Sequence, residues 1–198
     1  MINHLDPDSK AEAAAFYLGA TRNGGQWYDN TVTTNVKAIW VATLYGDASN
    51  AVFSRNKFKK VIEPGYREKP LVRVGWDRRE GIEATNIQFR SNDVEGGSFD
   101  FQVNPGQHSY SVYWTLDVRT VDTAGRPLVG QQVSIRDSSG SKAISGTTDE
   151  SGHLSIELLE YAVEPDGIKR MSPYTIKSGN VSQSVSLDRN SEVTLTIG

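Results

Sequence analysis

The spacing of apolar residues changes character near Val112. Beyond that point, short segments such as WTLDVRTVD, QQVSIRD and HLSIELLEY alternate apolar and polar residues. Alternation with a period of two predicts half-buried β-strands. The connectors TAGRP, SSGS and EPDG supply the Gly, Asp and Pro residues that tight turns need. Seven segments of this kind predict a seven-stranded antiparallel β-sandwich over residues 113–198.

Residues 1–112 follow a different pattern, in which one motif recurs three times. The motif is an aromatic residue, two variable positions, Asn, one variable position and then Val or Phe. Its copies are Trp27-x-x-Asn30-x-Val32, Phe53-x-x-Asn56-x-Phe58 and Phe89-x-x-Asn92-x-Val94. An apolar segment precedes each copy, namely AFYLGAT, AIWVATL and LVRVGWD. Repeats of this length that carry short strands predict a solenoid.

The asparagines have a physical explanation in such a solenoid. Equivalent residues of stacked rungs lie about 4.8 Å apart, so one Asn amide can bond to the next and form a ladder. The aromatic residues would stack inside the solenoid. The alternative is that the asparagines are ordinary turn formers in a second sandwich. Either arrangement is all-β.

Composition excludes several classes of site. The chain has 198 residues, no cysteine and a net charge of −3, and its three histidines lie far apart in sequence. Thiolate metal sites are therefore excluded, and a histidine zinc cluster or a Ser-His-Asp triad is not expected. The charge gives no basic footprint for nucleic acid. No apolar run is long enough to predict a membrane span, and the N-terminal residues do not read as a secretory signal.

The repeats, above all NTVTTNVKAIWVAT and NAVFSRNKF, resemble rungs of right-handed parallel β-helix proteins of the pectate-lyase-like superfamily. VDTAGRPLVGQQVSIRDSSG and GTTDESGHLSIEL resemble transthyretin-like or carboxypeptidase-regulatory-like sandwiches. The resemblance implies about three right-handed rungs with an N-terminal capping segment in residues 1–112, followed by the sandwich. It also implies an exported bacterial protein at the cell surface or outside the cell. Either residues 1–30 cap the stack, or the chain is the tail of a longer protein with further rungs and an export signal upstream of Met1.

Alignment of the rungs places Tyr17, Trp40 and Arg73 in one outward row, with Trp76 nearby. Such a row predicts a polysaccharide-binding surface, because aromatic rings stack on sugar rings and Arg pairs with uronate carboxylates. The alternative is that the row only stabilises the rungs, or is covered by another part of the protein.

The segment VGWDRREGIE, residues 74–83, holds the candidate catalytic residues. Asp77 and Glu80 are predicted as general acid and base, with Arg78 or Arg79 as the base of a lyase. The resembled lyases act on a calcium-bound uronate, but no rung carries clustered acidic ligands. No metal site is therefore predicted, and the cofactor stays open. The alternative is a charged surface loop without catalytic function.

These patterns predict a carbohydrate-directed module of an exported polysaccharide-processing protein, a lyase or glycoside hydrolase if it is active. The alternative is a non-catalytic structural or adhesion module in which the sandwich caps the β-helix. Partners other than polysaccharide would be an upstream β-helix or a second copy. A viral tail component is a third interpretation, because such proteins also use β-helices.

Overall fold

A computed structural model of the chain describes residues 1–4, 14–61, 69–77 and 81–198. Within these ranges the protein is all-β and contains no helix. The chain divides into two compact units. The first comprises residues 1–111 and 163–167, and the second comprises residues 112–162 and 168–198. The main division falls one residue from the boundary predicted at residue 112.

The strands of the first unit are short. They are β1 (Ile2–His4), β2 (Ala14–Leu18), β3 (Gly25–Tyr28), β4 (Thr31–Thr34), β5 (Lys37–Val41), β6 (Ala48–Ser49), β7 (Ala51–Ser54), β8 (Lys57–Lys60), β9 (Val72–Val74), β10 (Ala84–Thr85), β11 (Ile87–Arg90), β12 (Asp93–Glu95) and β13 (Phe101–Val103).

Parallel pairing organises these strands. One sheet has the order β1-β4-β8-β12, a second has the order β2-β5-β9-β13, and β3, β7 and β11 pair in a third. The short strands β6 and β10 also pair in parallel. Neighbouring strands of each sheet come from successive repeats, so one repeat lies on the next.

Aromatic residues of the repeat fill the interior of this stack. Trp27, Phe53 and Phe89 are in register on β3, β7 and β11. The ring centroids of Trp27 and Phe53 lie 5.0 Å apart, and those of Phe53 and Phe89 lie 5.6 Å apart. Offset stacking at these separations is favourable beyond the burial of area. The repeated aromatic position therefore forms a continuous core.

The expected asparagine ladder is confirmed and is doubled. Nδ2 of Asn30 donates to Oδ1 of Asn56 over 3.0 Å, and Nδ2 of Asn56 donates to Oδ1 of Asn92 over 3.0 Å. A second ladder joins Nδ2 of Asn86 to Oδ1 of Asn50 over 2.8 Å. Asn50 and Asn86 have φ angles of 57° and 53°, a left-handed conformation that Asn tolerates better than most residues.

Eight strands follow. They are β14 (Tyr110–Asp122), β15 (Gln132–Arg136), β16 (Lys142–Thr147), β17 (His153–Glu164), β18 (Gly167–Arg170), β19 (Tyr174–Ser178), β20 (Val181–Val185) and β21 (Ser191–Ile197).

Two sheets make up the second unit. β15, β16, β19 and β20 form an antiparallel sheet in the order β16-β15-β19-β20. The other sheet contains β18, β17, β14 and β21. Alternate residues on both sheets are buried, including Leu116, Val118, Val133, Ile135 and Ile176. A hydrophobic core inside this unit follows from the alternation that the sequence shows.

Two details of the predicted sandwich are wrong. The first is strand number, because β18 adds an eighth strand; its sequence GIKR is exposed at every position and gives no alternating signal. The second is direction, because β14 and β21 pair in parallel from Leu116 opposite Ser191 to Asp122 opposite Ile197. Alternation predicts a strand but does not predict the direction of its neighbour.

No helix in the described parts of the chain is long and apolar enough to span a membrane.

Candidate functional site

The predicted row of side chains exists as a register in the second parallel sheet. Tyr17 on β2 lies opposite Trp40 on β5, and Trp40 lies opposite Arg73 on β9. The Tyr17 and Trp40 rings meet edge to face with centroids 5.1 Å apart. Parallel strands in register bring these residues together from positions far apart in sequence.

The row is not an exposed platform, however, and the expectation that Trp40 and Arg73 are exposed is wrong. Trp40 is fully buried, and Arg73 is 2% exposed. Trp76 stacks on Trp40 with ring centroids 5.1 Å apart and planes inclined by 27°. The Arg73 guanidinium lies 4.1 Å from the Trp40 centroid and 5.4 Å from that of Trp76. A partly desolvated cation–π contact of this kind stabilises the cluster.

The turn after β9 explains why Trp76 covers Trp40. Gly75 has a φ of 82°, which favours glycine, and the turn carries the chain back so that Trp76 reaches Trp40. The Gly75 carbonyl accepts hydrogen bonds from Nε1 of Trp40 over 3.0 Å and from Nδ2 of Asn104 over 2.9 Å. The cluster is therefore held by directional bonds as well as by stacking.

Three aromatic side chains of this cluster reach solvent. Tyr17 and Trp76 are half-buried. Tyr45 is 69% exposed, and its ring lies 6.0 Å from that of Tyr17. We call Tyr17, Tyr45 and Trp76 the aromatic surface. Tyr17 and Trp76 contact the buried Trp40, and Tyr45 contacts Tyr17. Sequence reasoning missed Tyr45, although its position before Gly46 and Asp47 marks it as an aromatic residue in a turn.

The positive charge beside the aromatic surface is already paired. An Arg73 guanidinium nitrogen lies 3.3 Å from Oδ1 of Asp77, whose side chain is 50% exposed. The predicted role of Arg73 as the partner of a uronate carboxylate therefore does not fit, because its side chain is buried and faces a carboxylate of the protein. The exposed charge at this site is that of Asp77.

The predicted catalytic group is only partly described. Asp77 follows Trp76 beside the aromatic surface, whereas Arg78 and Glu80 lie outside the described residues. Catalysis by Asp77, Glu80 and Arg78 therefore stays a prediction. Across the described ranges, no group of three or more His, Asp or Glu side chains is arranged to hold a metal ion.

His108 packs against the turn at Gly75. Its Nδ1 accepts the Ala84 N–H over 3.1 Å, and its Nε2 lies 3.1 Å from the Asn104 carbonyl oxygen. This pair of contacts fits the neutral tautomer, which carries its proton on Nε2. Burial lowers the pKa of His108 below its ordinary value of 6.5, although the Asn104 carbonyl opposes this shift. We infer that His108 is a structural residue of the turn.

Comparisons with known proteins assign no family. No protein-family profile matches the chain, and no curated protein matches it. Among solved structures, the Bacillus anthracis TIE protein is similar over 49% of this chain, with 16% identity and a TM-score of 0.36. The matched region covers 19% of the TIE protein. A likeness at this level carries no argument about function.

Proposed function

We propose that this protein is a carbohydrate-binding module in which the first unit is a short right-handed parallel β-helix and the second is a β-sandwich. The parallel sheets built from successive repeats support the first assignment. The buried alternate residues of two sheets support the second. We place binding on the first unit.

The aromatic surface carries the proposal. Tyr17, Tyr45 and Trp76 offer exposed ring area to the apolar faces of a sugar. Trp76 is fixed by Trp40 and Arg73, so little conformational entropy remains to be lost when a ligand binds. The half-exposed Asp77 carboxylate can accept hydrogen bonds from sugar hydroxyls. This combination favours a neutral polysaccharide at this surface.

Substitution of the exposed rings tests the proposal. Wild type, Trp76→Ala and Tyr45→Ala would be run by affinity electrophoresis against a panel of soluble neutral polysaccharides. We expect each variant to bind about fivefold to tenfold more weakly, since stacking on one aromatic ring contributes about 1–1.5 kcal/mol. Tyr28→Ala is the matched control, because Tyr28 is 55% exposed but lies on β3, in a different sheet.

Two results would count against carbohydrate binding at this surface. One is a wild-type protein that binds no member of the panel. The other is a folded Trp76→Ala variant that binds as well as Tyr28→Ala. Circular dichroism and a thermal melt would establish that each variant is folded.

We further propose that the module belongs to an exported bacterial protein that processes polysaccharide outside the cell. A lyase or hydrolase activity would need Asp77 and the residues that follow it. Release of unsaturated or reducing ends by wild type, lost in Asp77→Asn, would support activity. Equal release by both proteins would remove Asp77 from the reaction.

A structural or adhesion module is the second candidate, and the two asparagine ladders favour it. Their side chains bond to those of neighbouring repeats, which is a structural role. Failure of the whole glycan panel, together with concentration-dependent self-association in sedimentation velocity, would favour this candidate over carbohydrate binding.

A further inference from the structure

The two sheets of the second unit differ sharply in charge. The sheet of β14, β17, β18 and β21 carries six carboxylates, on Asp117, Asp122, Glu157, Glu160, Glu164 and Glu192, and three cations, on Arg119, Lys169 and Arg170. The strands of the other sheet carry no carboxylate and three cations, on Arg136, Lys142 and Lys177. A chain with a net charge of −3 therefore holds one purely cationic sheet.

The register gathers these three cations on one face. Val133, Ile135 and Ile176 are buried, so the alternate positions point the other way. Arg136 pairs with Lys142 on one side, where the register shifts by one residue, and lies opposite Thr175 on the other. Lys177 is two residues from Thr175 on β19. Opposite side chains of a regular ladder lie about 5 Å apart and diagonal ones about 7–8 Å apart, so Arg136 is near both lysines. Lys142 and Lys177 lie two strands apart, about 10 Å or more from each other, and the three charges form a triangle.

No carboxylate in the described parts of the chain forms an ion pair with this triangle. Arg136, Lys142 and Lys177 form no ion pair within the described residues. Asp137 follows β15 directly, but it is buried and its Oδ1 accepts hydrogen bonds from Ser139 and Ser141. Like charges directly opposite each other destabilise a sheet. The pairing of Arg136 with Lys142 is therefore unfavourable until an anion lies between them.

The rest of this face consists of hydrogen-bonding side chains. The directly paired positions on the same side are Gln132, Ser134, Ser145, Thr147, Thr175, Ser182 and Ser184. An open depression of about 540 Å³ lies on the β15–β19 part of this face, lined by Gln131, Gln132, Ser134, Arg136, Lys177 and Gly179. Hydroxyl and amide groups can donate to and accept from sugar hydroxyls. We call this outer side of β15, β16, β19 and β20 the cationic face.

We propose that the cationic face binds an acidic polysaccharide, whose carboxylates or sulfates pair with Arg136, Lys142 and Lys177. The hydroxyl and amide side chains between them bond to the sugar hydroxyls. A glycan fits better than single-stranded nucleic acid, because the outer positions of these strands carry no aromatic ring for base stacking. This site lies in the second unit and does not depend on the aromatic surface.

Calorimetric titration of the full chain with polygalacturonate tests the proposal, with fully methyl-esterified polygalacturonate as the neutral probe. The test variant is Lys142→Gln/Lys177→Gln, which keeps Arg136 and its hydrogen bond to the Gly140 carbonyl. The matched control is Lys57→Gln/Lys59→Gln, which removes the same charge from two exposed lysines on β8 in the first unit. We expect about a tenfold loss of affinity in the test variant and almost none in the control.

The outcomes separate the possible explanations. Binding of polygalacturonate but not of its ester, weakened only in the test variant, supports the cationic face. Equal weakening in both double variants would show that net charge alone matters and would overturn the proposal. Equal affinity for the ester would also overturn it. Equal affinity for single-stranded DNA, with the same dependence on Lys142 and Lys177, would overturn the assignment to a glycan.

A separate variant distinguishes this proposal from the aromatic surface. Trp76→Ala should bind polygalacturonate as wild type does, whatever its effect on neutral glycans. Loss of polygalacturonate binding in Trp76→Ala, with normal binding in the lysine variant, would refute the cationic face.

Discussion

Removal of one asparagine from the buried ladder should destabilise the first unit far more than removal of one from the exposed ladder. Asn56 is the central residue of the buried ladder and is 1% exposed. Its Oδ1 accepts from the backbone N–H and from Nδ2 of Asn30, over 3.1 and 3.0 Å. Its Nδ2 donates to the Trp27 carbonyl and to Oδ1 of Asn92, over 2.9 and 3.0 Å. The Asn56→Ala variant loses all four hydrogen bonds.

The expected loss follows from these bonds. Each hydrogen bond contributes about 1 kcal/mol net, and a buried group left without a partner costs about 1–3 kcal/mol. Some of the groups regain water, because Asn30 is only half-buried. We therefore expect Asn56→Ala to lower the free energy of unfolding by about 3–5 kcal/mol. This is a large part of the stability of a typical domain.

The matched control is Asn86→Gly in the exposed ladder. Asn86 has a φ of 53°, which glycine adopts without strain. The substitution removes the bond from its Nδ2 to Oδ1 of Asn50, and both groups are exposed. Water replaces the lost partner, so the expected cost is less than about 1 kcal/mol.

Urea unfolding followed by tryptophan fluorescence measures both variants. Trp27, Trp40 and Trp76 lie in the first unit and Trp114 lies in the second, so the signal reports chiefly on the first. Calorimetry would resolve the two units if they melt separately. Equal losses in Asn56→Ala and Asn86→Gly, or a loss below about 1 kcal/mol in Asn56→Ala, would refute the view that the buried ladder holds the repeats together.

Three further predictions concern the first unit. Phe53→Ala should cost about 3–5 kcal/mol in urea unfolding, because its buried ring stacks on both neighbouring repeats; a cost below about 1 kcal/mol would contradict this packing. Arg55→Gln should change stability by less than about 1 kcal/mol, since its bidentate pair with Asp29 is exposed; a larger loss would show that the pair is more than a surface contact. The pKa of His108 is below 6.5 in the folded protein, so the unfolded state takes up protons first and stability should fall as pH drops through that value. His108→Gln should flatten this fall in thermal melts between about pH 8 and pH 5, and an unchanged slope would refute it.

The repeat could be predicted from sequence because its cause is local and recurs. The motif places an aromatic residue, an asparagine and an apolar residue at fixed spacing. In a stack of repeats, each of them contacts the equivalent residue of the next repeat. Trp27, Phe53 and Phe89 do so in the structure, as do Asn30, Asn56 and Asn92. Short-range pattern was therefore enough to predict which residues stack.

Burial of Trp40 and Arg73 could not be predicted in the same way. Successive side chains of a strand point to opposite faces, so Trp40 and Arg73 lie on the face of the sheet opposite to that of their neighbours in β5 and β9. The alternation says nothing of what covers that face. Trp76 covers Trp40 because the chain turns at Gly75, and this depends on contacts with Asn104 and His108. Asn104 and His108 lie about thirty residues beyond Gly75 in the sequence, and they share no motif with Trp40.

The cationic face could not be predicted from the sequence either. Segments with Arg136, Lys142 or Lys177 and no carboxylate are visible in the sequence. Whether their cations form one charged face depends on which strands are neighbours. Only the order β16-β15-β19-β20 brings the three cations together and leaves the acidic strands to the other sheet.

Departures from the repeat also have a packing explanation, and one of them can be tested. The first repeat has Gly25 and Trp27 on β3 where the next has Ala51 and Phe53 on β7. A Cβ atom added at Gly25 would clash with the Trp27 ring, with Cζ3 at 2.9 Å and Cη2 closer still. The larger indole therefore requires the smaller residue beside it.

We expect Gly25→Ala to lower the free energy of unfolding by about 1–3 kcal/mol. The double variant Gly25→Ala/Trp27→Phe, which copies the pair in β7, should recover most of that loss when compared with Trp27→Phe alone. A double-mutant cycle in urea measures this coupling. Additive losses would show that Gly25 and Trp27 do not depend on each other.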